Sequence, residues 1–488
     1  MRTYEQLTGA SGRKVFYRAE RYRADHLFKD IVPAVVLGGD RAALKNLSMT
    51  GLAAQSSELD SWDGRVGEEI PVRLCIADDT LYEGTGRIRR VEPSGVRTTV
   101  AVELTTGYVD IPAVVTSHDQ FLLARSLSDP QFGSAADILP EYRELSAEIV
   151  YLFRSYRDLL ARFEARLGDL PQEERAARLL DALIACEDKM MPQWKELWYR
   201  GNDITFPMIG DPIALAEHKR YTEQVLTPEF VPGPVMRRCY EKPLGYPGDY
   251  QIMNYVYRWE RIGDTPYEKL LHRVGIETGA CVGTRLRMTQ KLLAEKIAET
   301  PGEAPMNITN LGCGSAYEVA EYLKIDTLPR PVNFTLIDQD HDALSFAYEH
   351  AHPQVVRHNG KARIQCLQAS FAQLLKAGPL FNSLPPQDVI YSLGLYDYLS
   401  ARRAKALTKA LYDQVIPGGY LVLANVKVGR ETCMWPLEFI TDWSLVYRTA
   451  EEMWDMVDGL DCERISLEED ETKCVYLMVV RKPVEATD

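Results

Sequence analysis

The 488-residue chain reads as a multidomain protein with three successive fold types. Residues 1–125 form a small all-β barrel, 135–300 a helical cap or substrate region, and 301–488 an α/β domain on a mostly parallel seven-stranded sheet. Three observations carry this. In the first segment, short apolar or alternating runs at 31–37, 70–76, 86–91 and 96–104 are separated by turn residues such as Gly38-Gly39-Asp40, Asp78-Asp79 and Pro93-Ser94-Gly95; many short strands with such spacing predict a barrel. In the second, Leu145, Ile149, Leu152, Tyr156, Leu160, Phe163 and Leu167 recur at steps of three and four, one face of a helix. In the third, the strand 308–311 enters a small-residue turn, Gly312-Cys313-Gly314-Ser315-Ala316, and a helical pattern follows. A second strand, 332–337, then ends in Asp338, 24 positions beyond Gly314.

Bulk properties exclude several classes. A net charge of −14 opposes broad nucleic-acid binding, which works by neutralising phosphates. No apolar run reaches membrane-spanning length, and the start Met1-Arg2-Thr3-Tyr4-Glu5 lacks a signal-peptide core, so a cytoplasmic protein is expected. The nine cysteines are scattered without a Cys-x-x-Cys pair and read as reduced thiols.

Along the chain, 126–136 carries Ser, Asp, Pro and Gly and reads as the first boundary. Gly168-Asp169-Leu170-Pro171 stops the first long helix, and 173–198 starts another. The mixed Leu/Tyr/Phe seam suits a core-facing helix; pairing with a second chain in a homodimer is the alternative. Beyond Asp338, 388–392 reads as a further strand, 407–415 as a helix, and Pro417-Gly418-Gly419 leads into the next strand. The segments 465–467 and 474–480 read as a closing hairpin whose acidic run, 468–471, is a solvated turn.

The turn and the acid one strand later are the parts of a nucleotide site. Glycines admit the ligand to the backbone, a helix N-terminus faces its anionic end, and the acid holds ribose hydroxyls. Ala316 replaces the third glycine of a dinucleotide site, and no Lys-Ser/Thr pair follows, so this is not a phosphate loop. With the later elements in order, the segment resembles class I S-adenosylmethionine-dependent methyltransferases, a Rossmann-like fold. The resemblance implies S-adenosylmethionine as cofactor, bound by Gly312, Gly314, Ala316, Asp338, Gln339, Ser370, Phe371 and Ser392. A metal reading of Asp338, Asp340, His341 and Asp342 gives way to a helix start after Asp338. His350, His352 and His358 read as surface histidines.

In the first segment, Asn46-Leu47-Ser48-Met49-Thr50-Gly51 fits the Asp/Asn-x-Ser-x-x-Gly motif and resembles PilZ domains, bacterial barrels of which many bind cyclic di-GMP. The partner Arg-x-x-x-Arg motif is shifted here to Arg18, Arg21 and Arg23. The resemblance implies cyclic di-GMP on Arg18, Arg21, Arg23, Asn46, Ser48 and Gly51; a barrel that has lost its ligand and only docks partners is the alternative.

The stretch Lys242-Pro243-Leu244-Gly245-Tyr246-Pro247-Gly248-Asp249-Tyr250 fixes an irregular backbone crowded with polar and aromatic groups. With Tyr391-Ser392-Leu393-Gly394-Leu395-Tyr396-Asp397-Tyr398-Leu399 and Glu438-Phe439-Ile440-Thr441-Asp442-Trp443-Ser444-Leu445-Val446-Tyr447-Arg448, it resembles a bacterial family named for extracellular-factor biosynthesis, associated with methyl esters of 3-hydroxy fatty acids such as 3-hydroxypalmitate. The match spans about residue 140 to the end. It implies an O-methyltransferase with a small-molecule acceptor and a catalytic set of Lys242, Tyr246, Asp249, Tyr396 and Asp397. Lys242, Arg285 and Arg448 are candidate carboxylate holders, Tyr246, Tyr250, Tyr396 and Trp443 candidate walls, and Asp249 or Asp397 candidate bases. A signalling protein whose methyltransferase fold binds without catalysis is the reading from another class.

Overall fold

A computed structural model describes residues 4–5, 16–17, 21–28, 31–56, 62, 64–76, 79–94, 97–128, 133–299, 302–369 and 384–484. The chain divides into two compact units, Met1–Ser134 and Ala135–Asp488.

In the first unit, β1 (Tyr4–Glu5) pairs antiparallel with β2 (Phe16–Tyr17). There follow β3 (Tyr22–Arg23), α1 (Ala24–Leu27), β4 (Ala34–Leu37), β5 (Asp40–Ser48), β6 (Gly51–Ser56), β7 (Glu69–Ile76), β8 (Asp79–Ser94), β9 (Arg97–Leu104) and α2 (Ile111–Ser128). The ladder runs β5-β4-β7-β8-β9-β6, and β6 pairs again with β5, which closes a six-stranded barrel with β3 outside it on β5. Period-two burial makes this possible: Ile70, Val72, Leu74 and Ile76 of β7 point inward while Pro71 and Arg73 point out. Trp62, Val35, Leu37, Leu52, Ile88 and Val100 fill the interior. The sequence reading missed β5 and β6, because Ala and Lys are weak strand formers and pairing on both sides decides their state. It also expected strand character throughout 1–125. Instead α2 adds Ile111 and Val114 to the barrel core, and His118 Nε2 meets the Ile31 carbonyl at 3.0 Å.

The second unit begins with helices: α3 (Pro140–Arg166), α4 (Gln172–Thr205), α5 (Pro212–Val225), α6 (Thr227–Phe230), α7 (Pro234–Glu241), α8 (Tyr250–Arg258), α9 (Pro266–Thr278) and α10 (Ala280–Glu299). Then come β10 (Met306–Leu311), α11 (Tyr317–Tyr322), β11 (Val332–Asp338), α12 (His341–Arg357), β12 (Ala362–Gln368), β13 (Gln387–Ser392), α13 (Ala401–Gln414), β14 (Val415–Val426), α14 (Ala450–Asp455), β15 (Glu463–Glu469) and β16 (Val475–Arg481). The sheet order is β12-β11-β10-β13-β14-β16-β15. Pairings from β12 to β14 are parallel, and both pairings made by β16 are antiparallel, so a parallel sheet is closed by an antiparallel hairpin. From β10 the chain winds first toward β11 and β12, then back past β10 to β13 and β14. The C-terminal ends of β10 and β13 therefore diverge into a crevice, the point where open α/β sheets bind ligands.

The helices and the sheet share one hydrophobic core. On α3 the buried stripe is Tyr142, Leu145, Ile149, Phe153 and Leu160; Phe153, outside the expected seam, packs 4.6 Å from Phe230 and 5.8 Å from Trp194 between ring centroids. Asn202 on α4 donates to the Arg430 and Thr432 carbonyls and accepts the Trp435 N–H, so a single amide ties the helices to the loop after β14. Two surface expectations fail. Asp470 is buried and accepts the Cys474 and Val475 N–H groups at 2.8 and 2.9 Å, closing the β15–β16 turn. His358 is buried on the Leu323 carbonyl, and His350 stacks between Tyr317 and Phe346. Among the described residues, no helix is long and apolar enough to cross a membrane.

Candidate functional site

At the end of β10 the turn is built on left-handed backbone: Gly312 has φ 67, Gly314 φ 53 and Ala316 φ 44. Ala316 carries a Cβ there, a conformation that costs about 1–2 kcal/mol and that clusters at functional turns. The Ile337 carbonyl holds the turn by accepting the Gly312 and Cys313 N–H groups at 2.8 and 3.1 Å. Asp338 then spans the crevice. Its Oδ2 accepts the Gly314 N–H at 2.8 Å and its Oδ1 the Asp340 N–H at 3.0 Å. Burial raises its pKa, and these N–H groups work against that rise. Asp340 caps α12 by accepting the Asp342 and Ala343 N–H groups, the helix start expected after Asp338.

A cavity of about 420 Å³ opens here. One side is polar: Asn310, Gly312, Gly314, Ser315, Glu318, Asp338 and Gln339. Glu318 is buried, and its Oε1 accepts Asn310 Nδ2 at 2.6 Å and Tyr391 Oη at 2.8 Å; burial raises its pKa. Asn310 Oδ1 and Ser315 Oγ are buried without a partner. An unsatisfied buried polar atom costs about 1–3 kcal/mol, and both of these belong to residues that line the cavity. The other side is apolar, with Met236, Ile252, Val256, Val282, Leu437 and Trp443 among its walls. Neither Asn310 nor Glu318 was singled out from sequence, although Glu318, an acid on the buried face of α11 beside Val319 and Ala320, is a readable signal.

The 242–250 loop borders the same cavity through Tyr246, Pro247, Gly248 and Tyr250. Gly248 has φ +73, and a Cβ there would lie 2.4 Å from Trp443 Cζ2 and 2.6 Å from Tyr398 Oη; only glycine lets the loop seat against this wall. Its charged groups are committed elsewhere. Asp249 is buried, takes Arg238 Nε on both oxygens (2.9 and 2.8 Å) and caps α8 through the Gln251 and Ile252 N–H groups. Lys242, the left-handed C-cap of α7, bonds the Asp442 carbonyl at 2.6 Å and carboxylate at 2.9 Å. Tyr246 Oη donates to Asp340 Oδ2 at 2.5 Å; burial, then the Asp340 charge, raise its pKa. Thus neither Asp249 nor Lys242 lines the cavity, and Tyr246 engages the Asp338–Asp340 turn.

Beyond β13, Tyr396 is fully buried and bonded to Thr408, away from the cavity. Asp397 does line it, with Oδ2 on Arg285 Nη1 at 3.0 Å and Oδ1 on the Val426 N–H at 2.8 Å. Burial raises the Asp397 pKa, and Arg285 opposes that rise. Arg448 is buried on the Tyr396 and Leu399 carbonyls and Asn425 Oδ1. Ser392 Oγ donates to the Leu311 carbonyl at 2.8 Å and so braces β13 against β10. Of the expected cofactor residues, Gly312, Gly314, Asp338 and Gln339 line the cavity, Ala316 and Ser392 support the turn, and Ser370 and Phe371 lie outside the described residues.

In the barrel, Arg21 Nη1 donates to Asn46 Oδ1 at 3.2 Å, Arg23 pairs in register with Asn46, and Ser48 Oγ donates to the Gly51 carbonyl at 3.0 Å. Burial lowers the Arg21 pKa, and the charge of Arg90 adds to this. Arg18 lies outside the described residues.

No family model and no curated protein matches the chain. Among solved structures, it is similar to a possible exported protein from Bordetella parapertussis (15% identity, 61% of this chain and 97% of that one, TM-score 0.39). It is also similar to magnesium protoporphyrin IX methyltransferase from Synechocystis PCC 6803 with bound SAH (10%, 51% and 98%, TM-score 0.36). A third is the N-methyltransferase NodS from Bradyrhizobium japonicum WM9 in complex with S-adenosyl-L-homocysteine (14%, 40% and 87%, TM-score 0.30).

Proposed function

We propose that the unit 135–488 is a class I S-adenosylmethionine-dependent methyltransferase with a small-molecule acceptor, its helices α3–α10 serving as the cap and substrate region. One observation carries the reading: Asp338, at the end of β11, accepts the Gly314 amide at 2.8 Å beside a cavity lined also by Asn310 and Ser315, whose Oδ1 and Oγ have no partner. This set fits the cofactor. Asp338 would accept the ribose hydroxyls, Glu318 and Asn310 Oδ1 would receive the α-ammonium, and Ser315 Oγ would donate to the carboxylate.

Bound S-adenosylmethionine supplies an electrophilic methyl group for in-line displacement. The chain's residues exclude water and orient the acceptor. Met236, Ile252, Val256 and Trp443 wall an apolar slot. The nearby carboxylates are engaged: Asp249 on Arg238, Asp397 on Arg285 and the Val426 N–H, Glu318 on Asn310 and Tyr391. With these carboxylates engaged among the described residues, the site suits a nucleophile that is already ionised, and a carboxylate is one near neutral pH. This supports O-methylation, with a 3-hydroxy fatty acid as the acceptor the family resemblance implies. All nine cysteines are unpaired, in keeping with work in a reducing cytoplasm.

Calorimetric titration of the full chain with S-adenosylhomocysteine tests the cofactor assignment. Asp338→Ala is expected to weaken binding by roughly 1.5–3 kcal/mol, and equal affinity in both proteins would reject it. Transfer of labelled methyl into a lysate extract separates catalysis from the non-catalytic alternative, in which the cofactor binds and no label moves.

The barrel supports a second, regulatory reading: a PilZ-like module for cyclic di-GMP, with Arg21, Asn46, Ser48 and Gly51 together near the β5–β6 turn. Guanidinium forks suit phosphate and guanine edges. Arg21→Ala with Arg23→Ala should abolish cyclic di-GMP binding by the full chain; no binding by the wild type would favour a partner-docking barrel.

A further inference from the structure

We propose that Cys281 and Cys433 form an oxidisable dithiol in the cavity wall: a hydroperoxide entering the cavity is reduced there, and the two thiols close into a disulfide that ties α10 to the loop after β14. The thiol chemistry stands without the methyltransferase reading; only its consequence for turnover rests on that reading. Three elements bring three thiols together. Cys281 lies in the first turn of α10, Cys433 in the loop after β14, and Cys474 just before β16. All three are buried. Thr284, one turn beyond Cys281, sets its Oγ1 on the Asp470 carboxylate, and the same carboxylate accepts the Cys474 N–H at 2.8 Å. Cys474 Sγ in turn donates to the Glu431 carbonyl at 2.9 Å, and the Thr432 carbonyl accepts Trp198 Nε1 at 2.6 Å. These bonds fix α10, the β15–β16 turn and the loop relative to one another, with Cys433 and Cys474 both against the Cys281 thiol. Cys281 and Cys433 line the cavity, and Cys474 lies behind them.

The three thiols are not equivalent. Hydrogen bonding from Cys433, then from Cys474, and the charge of Arg285 hold the Cys281 thiol below its ordinary range, while burial opposes them. Cys281 is therefore the attacking group, because the thiolate is the nucleophile. Cys433 is the resolving thiol: it shares the cavity, and among the described residues its S–H meets Cys281 alone, whereas that of Cys474 has the Glu431 carbonyl. Cys239 and Cys313 also line the cavity, but burial, then the carboxylates of Asp249 and Asp338 respectively, push their thiols up. The chemistry balances. The Cys281 sulfur attacks the hydroperoxide; an S–O bond forms, the O–O bond breaks, and the alcohol or water leaves with the Cys281 proton. Cys433 then attacks the sulfenic acid; the S–S bond forms, the S–O bond breaks, and hydroxide leaves as water with the Cys433 proton. The dithiol loses two electrons and the hydroperoxide gains them.

The test treats the reduced full chain with hydrogen peroxide and reads the intact mass and the peptide map. The wild type should lose two hydrogens, the map should join Cys281 to Cys433, and dithiothreitol should reverse both changes. Cys433→Ala should instead accumulate a sulfenic acid on Cys281, captured by dimedone. Cys474→Ala should still form the bridge. A wild type that forms no bridge, a bridge mapped to another pair, an undiminished loss of two hydrogens in Cys433→Ala, or a bridge lost in Cys474→Ala would each overturn the proposal; the wild-type map decides even where a variant does not fold. Bridging draws two walls of the cavity together, so transfer of labelled methyl into a lysate extract should fall at least about tenfold and return with dithiothreitol. Full transfer by the bridged protein would overturn that consequence. A reduced protein that moves no label would count against the methyltransferase reading, while the mass and the map still judge the dithiol.

Discussion

The turn at 312–318 and the loop at 242–250 border the same cavity, yet they handle their polar groups in opposite ways. In the loop, both charged side chains and the Tyr246 hydroxyl are matched within the protein: Asp249 to Arg238 and a helix start, Lys242 to Asp442, Tyr246 to Asp340. At the turn, Asn310 Oδ1 and Ser315 Oγ are buried without partners, and Asp338 makes do with two backbone N–H groups. Density of polar residues in a rigid segment thus marks what holds a site. Polar atoms left unmatched beside a cavity mark what the site is for.

The contrast can be broken in order of expected effect. The largest comes from the loop as a structural part. Gly248→Val introduces a Cβ 2.4 Å from the Trp443 ring at φ +73, and the unit 135–488 should lose about 2–4 kcal/mol in a denaturant melt. A wild-type midpoint would mean that the loop does not pack on this wall. Next is Asp338→Ala, with the loss of roughly 1.5–3 kcal/mol in cofactor affinity given above. Third is Tyr246→Phe, which removes one hydroxyl from Asp340. The turn should loosen and S-adenosylhomocysteine affinity fall by about 0.5–1.5 kcal/mol. Unchanged cofactor affinity would show that this bond does not hold the turn. The smallest is Lys242→Ala. Its partner Asp442 has a carboxylate 75% exposed, so stability should change by less than about 1 kcal/mol. The acceptor KM should stay at its wild-type value, and a clear rise in KM would return Lys242 to the acceptor site.

How far the sequence carried the reading depends on range. The Gly312 turn and Asp338 were legible because a strand, a turn and the next strand are local in sequence, and their backbone dictates the crevice. Barrel strands with β-branched alternation, such as 70–76, were legible for the same reason. The pairing of Arg285 with Asp397 joins side chains 112 positions apart, and no local pattern announces it. Asp249 and Asp397 looked alike as candidate bases. Only packing reveals that one caps α8 against Arg238 while the other sits in the cavity against Arg285. Asp470 fell inside an acidic run that reads as solvated, yet the N–H groups of Thr472, Cys474 and Val475 fold back on its carboxylate.

The most direct test of the central claim is a structure of the full chain with S-adenosylhomocysteine bound. The expected result has the ribose hydroxyls on Asp338 in place of the Gly314 N–H, the α-ammonium within hydrogen-bond reach of Glu318 and Asn310 Oδ1, and the sulfur pointing toward Arg285 and Gly394. A ligand seated elsewhere, or a cavity in which Asp338 keeps its bond to Gly314 while saturating ligand leaves Asn310 Oδ1 and Ser315 Oγ unpaired, would contradict it.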